Sequence, residues 1–256
     1  MRIGFIGGDT RLTACAASAR RDGHMVYFYK EGEPFEAFVA KTELLVLPVP
    51  LSKDGTHITG SALPLSLLEA LTLPMLGGFV PAALASRVYD IAAEESFALK
   101  NAALTAEGGI AGALSATGRG FYNLSVGVVG YGRIARLLLA RLASFGAPLT
   151  VYARRPEALT DAALRGIRTV PLEEDTVLRE DVIFSTVPAP VFGRVSVGNA
   201  LYICDLGGGM PRVLPRLQGG EAEVTSYRGV PGVFAPTAAG EIIYESLKAF
   251  IAEGKR

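Results

Sequence analysis

The run Val126-Gly127-Val128-Val129-Gly130-Tyr131-Gly132-Arg133-Ile134-Ala135 constrains this chain more than any other stretch. An apolar, strand-like segment leads directly into G-x-G-x-x-A, and a helical stretch, Arg133 to Phe145, follows. Strand, tight turn and helix in that order open a dinucleotide-binding fold. Gly130 allows the turn, Gly132 lets backbone approach a pyrophosphate, and Ala135 permits close packing of helix on strand. The pyrophosphate is expected on amides around Tyr131, Arg133 and Ile134, where the helix dipole favours negative charge. The plainer alternative is a glycine turn that holds no ligand.

Alternation continues on both sides of this motif. Downstream, strands are expected at Leu149–Tyr152, Arg168–Val170, Asp181–Ser185, Leu201–Asp205 and Glu223–Tyr227, with helices at Pro156–Arg165 and Pro211–Leu217. Upstream, strands at Arg2–Ile6, Met25–Tyr29, Leu44–Pro48 and Pro74–Leu76 alternate with helical stretches at Thr10–Arg21, Ser61–Leu71 and Pro81–Arg87. The pattern predicts an α/β chain of two Rossmann-like lobes with parallel sheets. Residues 1–104 form the first lobe, of flavodoxin or Rossmann type; residues 105–236 form the doubly wound nucleotide lobe, including a Gly-rich crossover helix over Glu107–Thr117. A terminal helix, 237–256, has Ile242, Ile243, Leu247, Phe250 and Ile251 on one face and is expected to return to the first lobe.

Charge narrows the ligand class. Lys plus Arg and Asp plus Glu both total 25, so the net charge is zero and no long-range field draws in nucleic acid or an anionic membrane. A small-molecule ligand and a cytoplasmic, homo-oligomeric protein are expected. Cys15 and Cys204, the two cysteines, each sit in an apolar stretch and read as buried thiols; no metal site is expected.

Several segments fall on the carboxyl rims of the two expected sheets, where open α/β folds bind ligands. Ala153-Arg154-Arg155 ends the second strand of the nucleotide lobe, where an acidic residue would normally take the hydroxyls of an NAD ribose. Arg154 and Arg155 instead suit a ribose phosphate, which puts NADP ahead of NAD; two solvated arginines are the alternative. Thr186, Val187 and Pro188 follow the fourth strand and are expected over the nicotinamide half. Asp205 ends the next strand, either orienting the carboxamide, shaping the substrate pocket or capping a turn.

On the first lobe, Gly8, Asp9 and Arg11 begin a helix and are expected to hold a substrate carboxylate, with plain helix capping as the alternative. Pro48 ends a strand on the same rim, or merely stops it. Thr105 and Glu107 are expected at the start of the crossover helix, Thr105 as a substrate contact and Glu107 as a base, a substrate contact or a plain cap. Gly232 and Thr237 belong to a rigid, glycine-punctuated loop expected either to close the pocket floor or to serve as a return linker. Hydroxy-acid dehydrogenases of this build need a histidine acid/base in the nucleotide lobe. The chain has only His24 and His57, both in the first lobe, which disfavours that chemistry.

Taken in order, IGGDTR (6–11), LPV (47–49), AEGGI (106–110), VGVVGYGRIA (126–135), STVP (185–188) and RGVPGVFAPTAAGEII (228–243) resemble the A subunit of the dipicolinate synthases of spore-forming bacteria. The resemblance spans almost the whole chain and is weakest in the first lobe. It implies oxidation of dihydrodipicolinate to pyridine-2,6-dicarboxylate with NADP+, partnership with a flavoprotein-like B subunit, and a place in the mother cell during sporulation. It also makes the missing histidine tolerable, since a proton lost as a ring becomes aromatic is acidic. Two other functions compete: a non-catalytic subunit that binds nucleotide to regulate a partner, and an NADP-linked reductase of another small carboxylate or imine.

Overall fold

A computed structural model describes residues 1–208, 216–218 and 221–254. The chain divides into two compact units, Met1–Asn101 with Ala235–Arg256 and Ala102–Phe234.

Unit 1 runs β1 (Arg2–Phe5), α1 (Thr10–Arg21), β2 (Met25–Phe28), α2 (Phe35–Val39), β3 (Leu44–Val46), β4 (Met75–Gly77) and β5 (Tyr89–Asp90). Its five strands pair in the order β2-β1-β3-β4-β5, every pair parallel. Successive side chains of a strand face opposite sides: Ile3, Phe5, Leu44 and Val46 join one core cluster, while Leu45 and Leu47 join another. Burial on both faces is why these strands read as continuous apolar runs. Helix α3 (Glu95–Thr117) leaves this unit and enters the next; helix α7 (Pro236–Ala252) completes unit 1.

α7 lies on α1. Its Ile243, Tyr244, Leu247 and Phe250 share a cluster with Leu12, Cys15, Ala16 and Ala19. Gly240 makes the approach possible, because a Cβ there would stand 2.5 Å from the Ala14 Cβ and 2.8 Å from the Cys15 amide nitrogen. The Tyr244 hydroxyl donates to Asp22 at 2.7 Å, and Lys100 pairs with Glu245.

Unit 2 continues with β6 (Val126–Val129), α4 (Arg133–Ala143), β7 (Leu149–Ala153), α5 (Pro156–Leu164), β8 (Arg168–Pro171), β9 (Val177–Leu178), β10 (Val182–Ser185), β11 (Ser196–Val197), β12 (Tyr202–Asp205), β13 (Arg216–Leu217), β14 (Glu223–Ser226) and α6 (Val230–Phe234). Its main sheet has the order β14-β12-β10-β6-β7-β8, all parallel, and a small sheet joins β13, β11 and β9. Read from the other edge, the main sheet is the doubly wound dinucleotide arrangement, whose strand order reverses between β6 and β10. Val126, Val128, Val182, Phe184, Tyr202 and Cys204 face one core with Ala135, Leu138 and Leu142 of α4; Val129, Ile183 and Ile203 face the other. The parallel α/β architecture with two Rossmann-like lobes is thus the one the sequence predicts.

Several local expectations need correction. Ser61–Leu71 and Pro81–Arg87 hold only single 3-10 turns, Leu65–Leu68 and Ala82–Leu84, each preceded by a proline that fixes the entry. The crossover helix starts at Glu95, well before Glu107, since Phe97-Ala98-Leu99-Lys100 are good helix formers with nothing to stop them. The glycine-punctuated segment after Gly229 contains the short helix α6 rather than only loop. The helix expected over Pro211–Leu217 lies outside the described residues, except that Arg216–Leu217 pair as a strand with β11. Both cysteines are free and buried, and burial pushes each thiol up to about 12. No helix among the described residues is long and apolar enough to cross a membrane.

Candidate functional site

The turn between β6 and α4 is built as its glycines require. Gly130 has φ +101°, and a Cβ there would lie 2.7 Å from the Thr186 hydroxyl oxygen and from a Val187 methyl. Its amide donates to the Tyr152 carbonyl at 2.8 Å, which fixes the turn against β7. Gly132 differs: it is the N-cap of α4, no side chain caps the helix, and a Cβ placed on it would meet nothing within 4 Å. Amides at a helix start need an acceptor, and among the described residues no side chain caps α4 at Gly132 and no atom comes within 4 Å of a Cβ placed there. Ala135 is fully buried, as close helix-on-strand packing demands.

The rim around this turn is tied together. The Thr186 amide and hydroxyl both donate to the Val129 carbonyl, at 2.9 and 3.0 Å, holding the loop after β10 at the strand-order reversal. Gly207 lets the next rim loop pass, since a Cβ there would come within 2.6 Å of Val187 backbone. Thr186 and Val187 are half-buried and Pro188 is exposed. Asp205 is fully buried; its carboxylate accepts from the Gly207 amide at 3.1 Å, the Gly208 amide at 3.0 Å and the Ser226 hydroxyl at 3.1 Å. Of the roles open to it, these bonds show the turn-holding one. The Tyr131 side chain donates to Asp161 at 2.7 Å under the Arg136 guanidinium, which is compatible with the expected role of its backbone. Burial and the Asp161 carboxylate raise its phenol, and only its backbone remains for a ligand. Arg133 is exposed and Ile134 half-buried.

A cavity of about 240 Å³ opens beside the end of β7. Leu172, Ala189, Pro190, Val191 and Val195 give it apolar walls, and Arg154, Arg194, Glu173 and Glu174 give it charge. Arg155 does not line it; it is the N-cap of α5 and is exposed. Arg194 therefore joins the site although the sequence alone does not single it out. Its only signal is a basic residue in the polar stretch after the fourth strand.

The other expected contacts fare differently. Gly8 does not offer its amide, which donates to the Thr59 carbonyl at 2.7 Å; Thr59-Gly60 lies across the Gly7-Gly8 turn and fills the place of a ligand oxygen. Asp9 caps α1 by accepting from the Arg11 amide at 3.0 Å, and it grips the Arg11 guanidinium at 2.8 to 3.1 Å. Burial pushes the Asp9 carboxyl up, but Arg11 outweighs it and holds the group below the usual range. Pro48 is buried, with its carbonyl accepting from the Gly78 amide at 3.2 Å, so it extends the β3–β4 ladder instead of facing a ligand. Thr105 is 4 % exposed. Glu107 lies about three turns into α3, beyond reach of the helix-start dipole, and its carboxylate accepts from Arg141 at 2.8 Å. Its position thus removes both the capping role and the dipole argument for a base. Gly232 lies within α6, and Thr237 is exposed in the first turn of α7, which has no side-chain cap. Of the histidines, His57 has Nδ1 3.0 Å from Asp54 and is exposed; His24 has Nδ1 3.5 Å from the terminal amine.

Residues 97–191 match the family model of the D-isomer specific 2-hydroxyacid dehydrogenase, NAD binding domain. A curated relative, the A subunit of dipicolinate synthase from Bacillus subtilis, is 28% identical over 169 residues, covering 62% of this chain and 56% of the relative. The chain resembles the A subunit of dipicolinate synthase. The aligned stretch is less than two thirds of that relative's length, although the folds agree further. The crystal structure of the dipicolinate synthase A chain from Bacillus subtilis has a TM-score of 0.72 at 21% identity, covering 99% of this chain and 96% of that one. For the corresponding A subunit from Bacillus halodurans the TM-score is 0.70 at 19% identity, with 98% and 97% covered. The matched stretch is similar to an NAD-binding domain, which supports a nicotinamide dinucleotide as the class of cofactor.

Proposed function

We propose that this chain is an A subunit of dipicolinate synthase type, which oxidises dihydrodipicolinate to pyridine-2,6-dicarboxylate with NADP+ and works beside a flavoprotein-like B subunit. Residues 105–236 take the coenzyme in this reading, and residues 1–104 with 237–256 take the dicarboxylate. The observation that carries it is the contrast between two glycine-rich helix starts. α1 is closed by Asp9 and Thr59, whereas α4 begins on Gly132 with no side-chain cap, and among the described residues no atom lies within 4 Å of a Cβ placed on Gly132. Anions are favoured where amides and dipole are free to meet them, so α4 is the start that holds a diphosphate.

When bound, NADP+ supplies the acceptor for the hydride. The chain's own parts are to hold and orient. Amides of the first α4 turn take the diphosphate, and Arg154 stands at the adenosine ribose. Thr186, Val187 and Pro188, with the Gly207–Gly208 turn that Asp205 fixes, shape the nicotinamide rim. Arg11 holds Asp9 through Nε and Nη2, which leaves Nη1 to meet one substrate carboxylate. The proton released as the ring becomes aromatic is acidic enough for water to accept it, so no nucleotide-unit histidine is demanded.

The test is hydride transfer from synthetic dihydrodipicolinate to NADP+, followed by NADPH absorbance with and without the B subunit. The expected result is NADPH formed in step with pyridine-2,6-dicarboxylate. Coenzyme bound without turnover in either case would instead favour a non-catalytic nucleotide-binding subunit.

A further inference from the structure

We propose that Arg194 is a specificity-determining residue for the coenzyme: together with Arg154 it grips a phosphate on the adenosine ribose, and Arg155 does not. The inference rests on the coenzyme reading above and adds a residue to it. The cavity beside Arg154 is bounded by the carboxyl ends of β7 and β8 and by the segment after β10. That is the side on which open α/β sheets take nucleotides. Its apolar walls suit the faces of a flat base, which leaves the two arginines for charge.

Both arginines are uncommitted. Among the described residues neither Arg154 nor Arg194 makes an ion pair within 4.0 Å, although Glu173 and Glu174 line the same cavity. Arg11, Arg141 and Arg165, by contrast, are each held by a carboxylate. An ordered turn delivers Arg194: its amide donates to the Val191 carbonyl at 3.0 Å, its carbonyl accepts from the Asp175 amide at 2.9 Å, and buried Phe192 and Val195 flank it.

The charge balance decides what the second arginine does. Two guanidinium groups face two carboxylates, so the pocket is neutral as built. A phosphate then gains charge-assisted, bidentate bonds, while an uncharged ribose gains little. With Arg194 removed, Arg154 faces Glu173 and Glu174 alone, the pocket turns net negative, and a ribose diol becomes the better guest.

Equilibrium binding to the whole chain tests this with four probes: NADP+, NAD+, adenosine 2′,5′-bisphosphate and 5′-AMP. Arg194→Ala is expected to weaken NADP+ and the bisphosphate by about tenfold or more, as loss of a charged hydrogen-bond pair predicts, and Arg194→Lys by less. NAD+ and 5′-AMP should hold or tighten, which also shows that the fold survives. Equal loss for all four probes would overturn the assignment. So would an Arg194→Ala protein that binds as the wild type does while Arg154→Ala alone loses NADP+, an outcome that leaves the coenzyme reading standing. A wild-type chain that binds neither coenzyme removes both.

Discussion

Valine in place of Gly132 removes coenzyme binding and leaves the protein folded. Gly132 has φ −87° and ψ −163°, ordinary extended backbone that valine adopts readily, and its Cβ would project into space that no atom of the described residues occupies within 4 Å. The cost to the fold is that of a poor N-cap, about 1 kcal/mol. The cost to a diphosphate is larger, because the isopropyl group stands over the amides that would bind it. An affinity loss of at least about 100-fold, or roughly 2.7 kcal/mol, is expected. NADPH fluorescence titration beside a thermal melt separates the two effects. A Gly132→Val protein that binds NADPH as tightly as the wild type would remove α4 from the account.

Gly240→Val should have the opposite character, damaging stability in unit 1. The new Cβ alone would press on the Ala14 Cβ at 2.5 Å, the Cys15 nitrogen at 2.8 Å and the Arg11 carbonyl oxygen, and backbone cannot step aside as a flexible side chain would. Helix propensity improves by only about 0.5 kcal/mol when glycine leaves a helix interior. Overpacking costs about 1–3 kcal/mol, and moving α7 off α1 further loosens Ile243, Leu247 and Phe250. A net loss of about 3 kcal/mol is therefore expected. Urea denaturation measures it; a loss below about 1 kcal/mol would mean that α7 does not depend on this close approach.

The features legible in the sequence are those fixed by a residue's own backbone needs. The nucleotide turn is readable because Gly130 requires a positive φ and Ala135 a tight helix contact, and both follow an apolar strand. The continuous apolar runs announce parallel strands buried on both faces for the same reason. Long-range coverage is not readable. Gly7-Gly8 has the composition of an anion-binding turn, yet Thr59-Gly60, some fifty residues later in the chain, supplies the oxygen that closes it. Glu107 looks like a helix start because Gly108-Gly109 follow it. These glycines instead make room within α3, Gly108 for Val230 and Phe234 and Gly109 for Leu206. Arg154 and Arg155 are indistinguishable as letters, and only the fold shows that one lines a cavity with Arg194 while the other begins α5.

The central claim is that the uncapped start of α4 holds the coenzyme's diphosphate. A crystal structure of the chain with NADP+ tests it most directly. The expected result places diphosphate oxygens within hydrogen-bonding distance, about 3 Å, of amides in the first α4 turn, beside Gly132. A diphosphate bound elsewhere, with the space above Gly132 filled by solvent or by protein, would contradict the account.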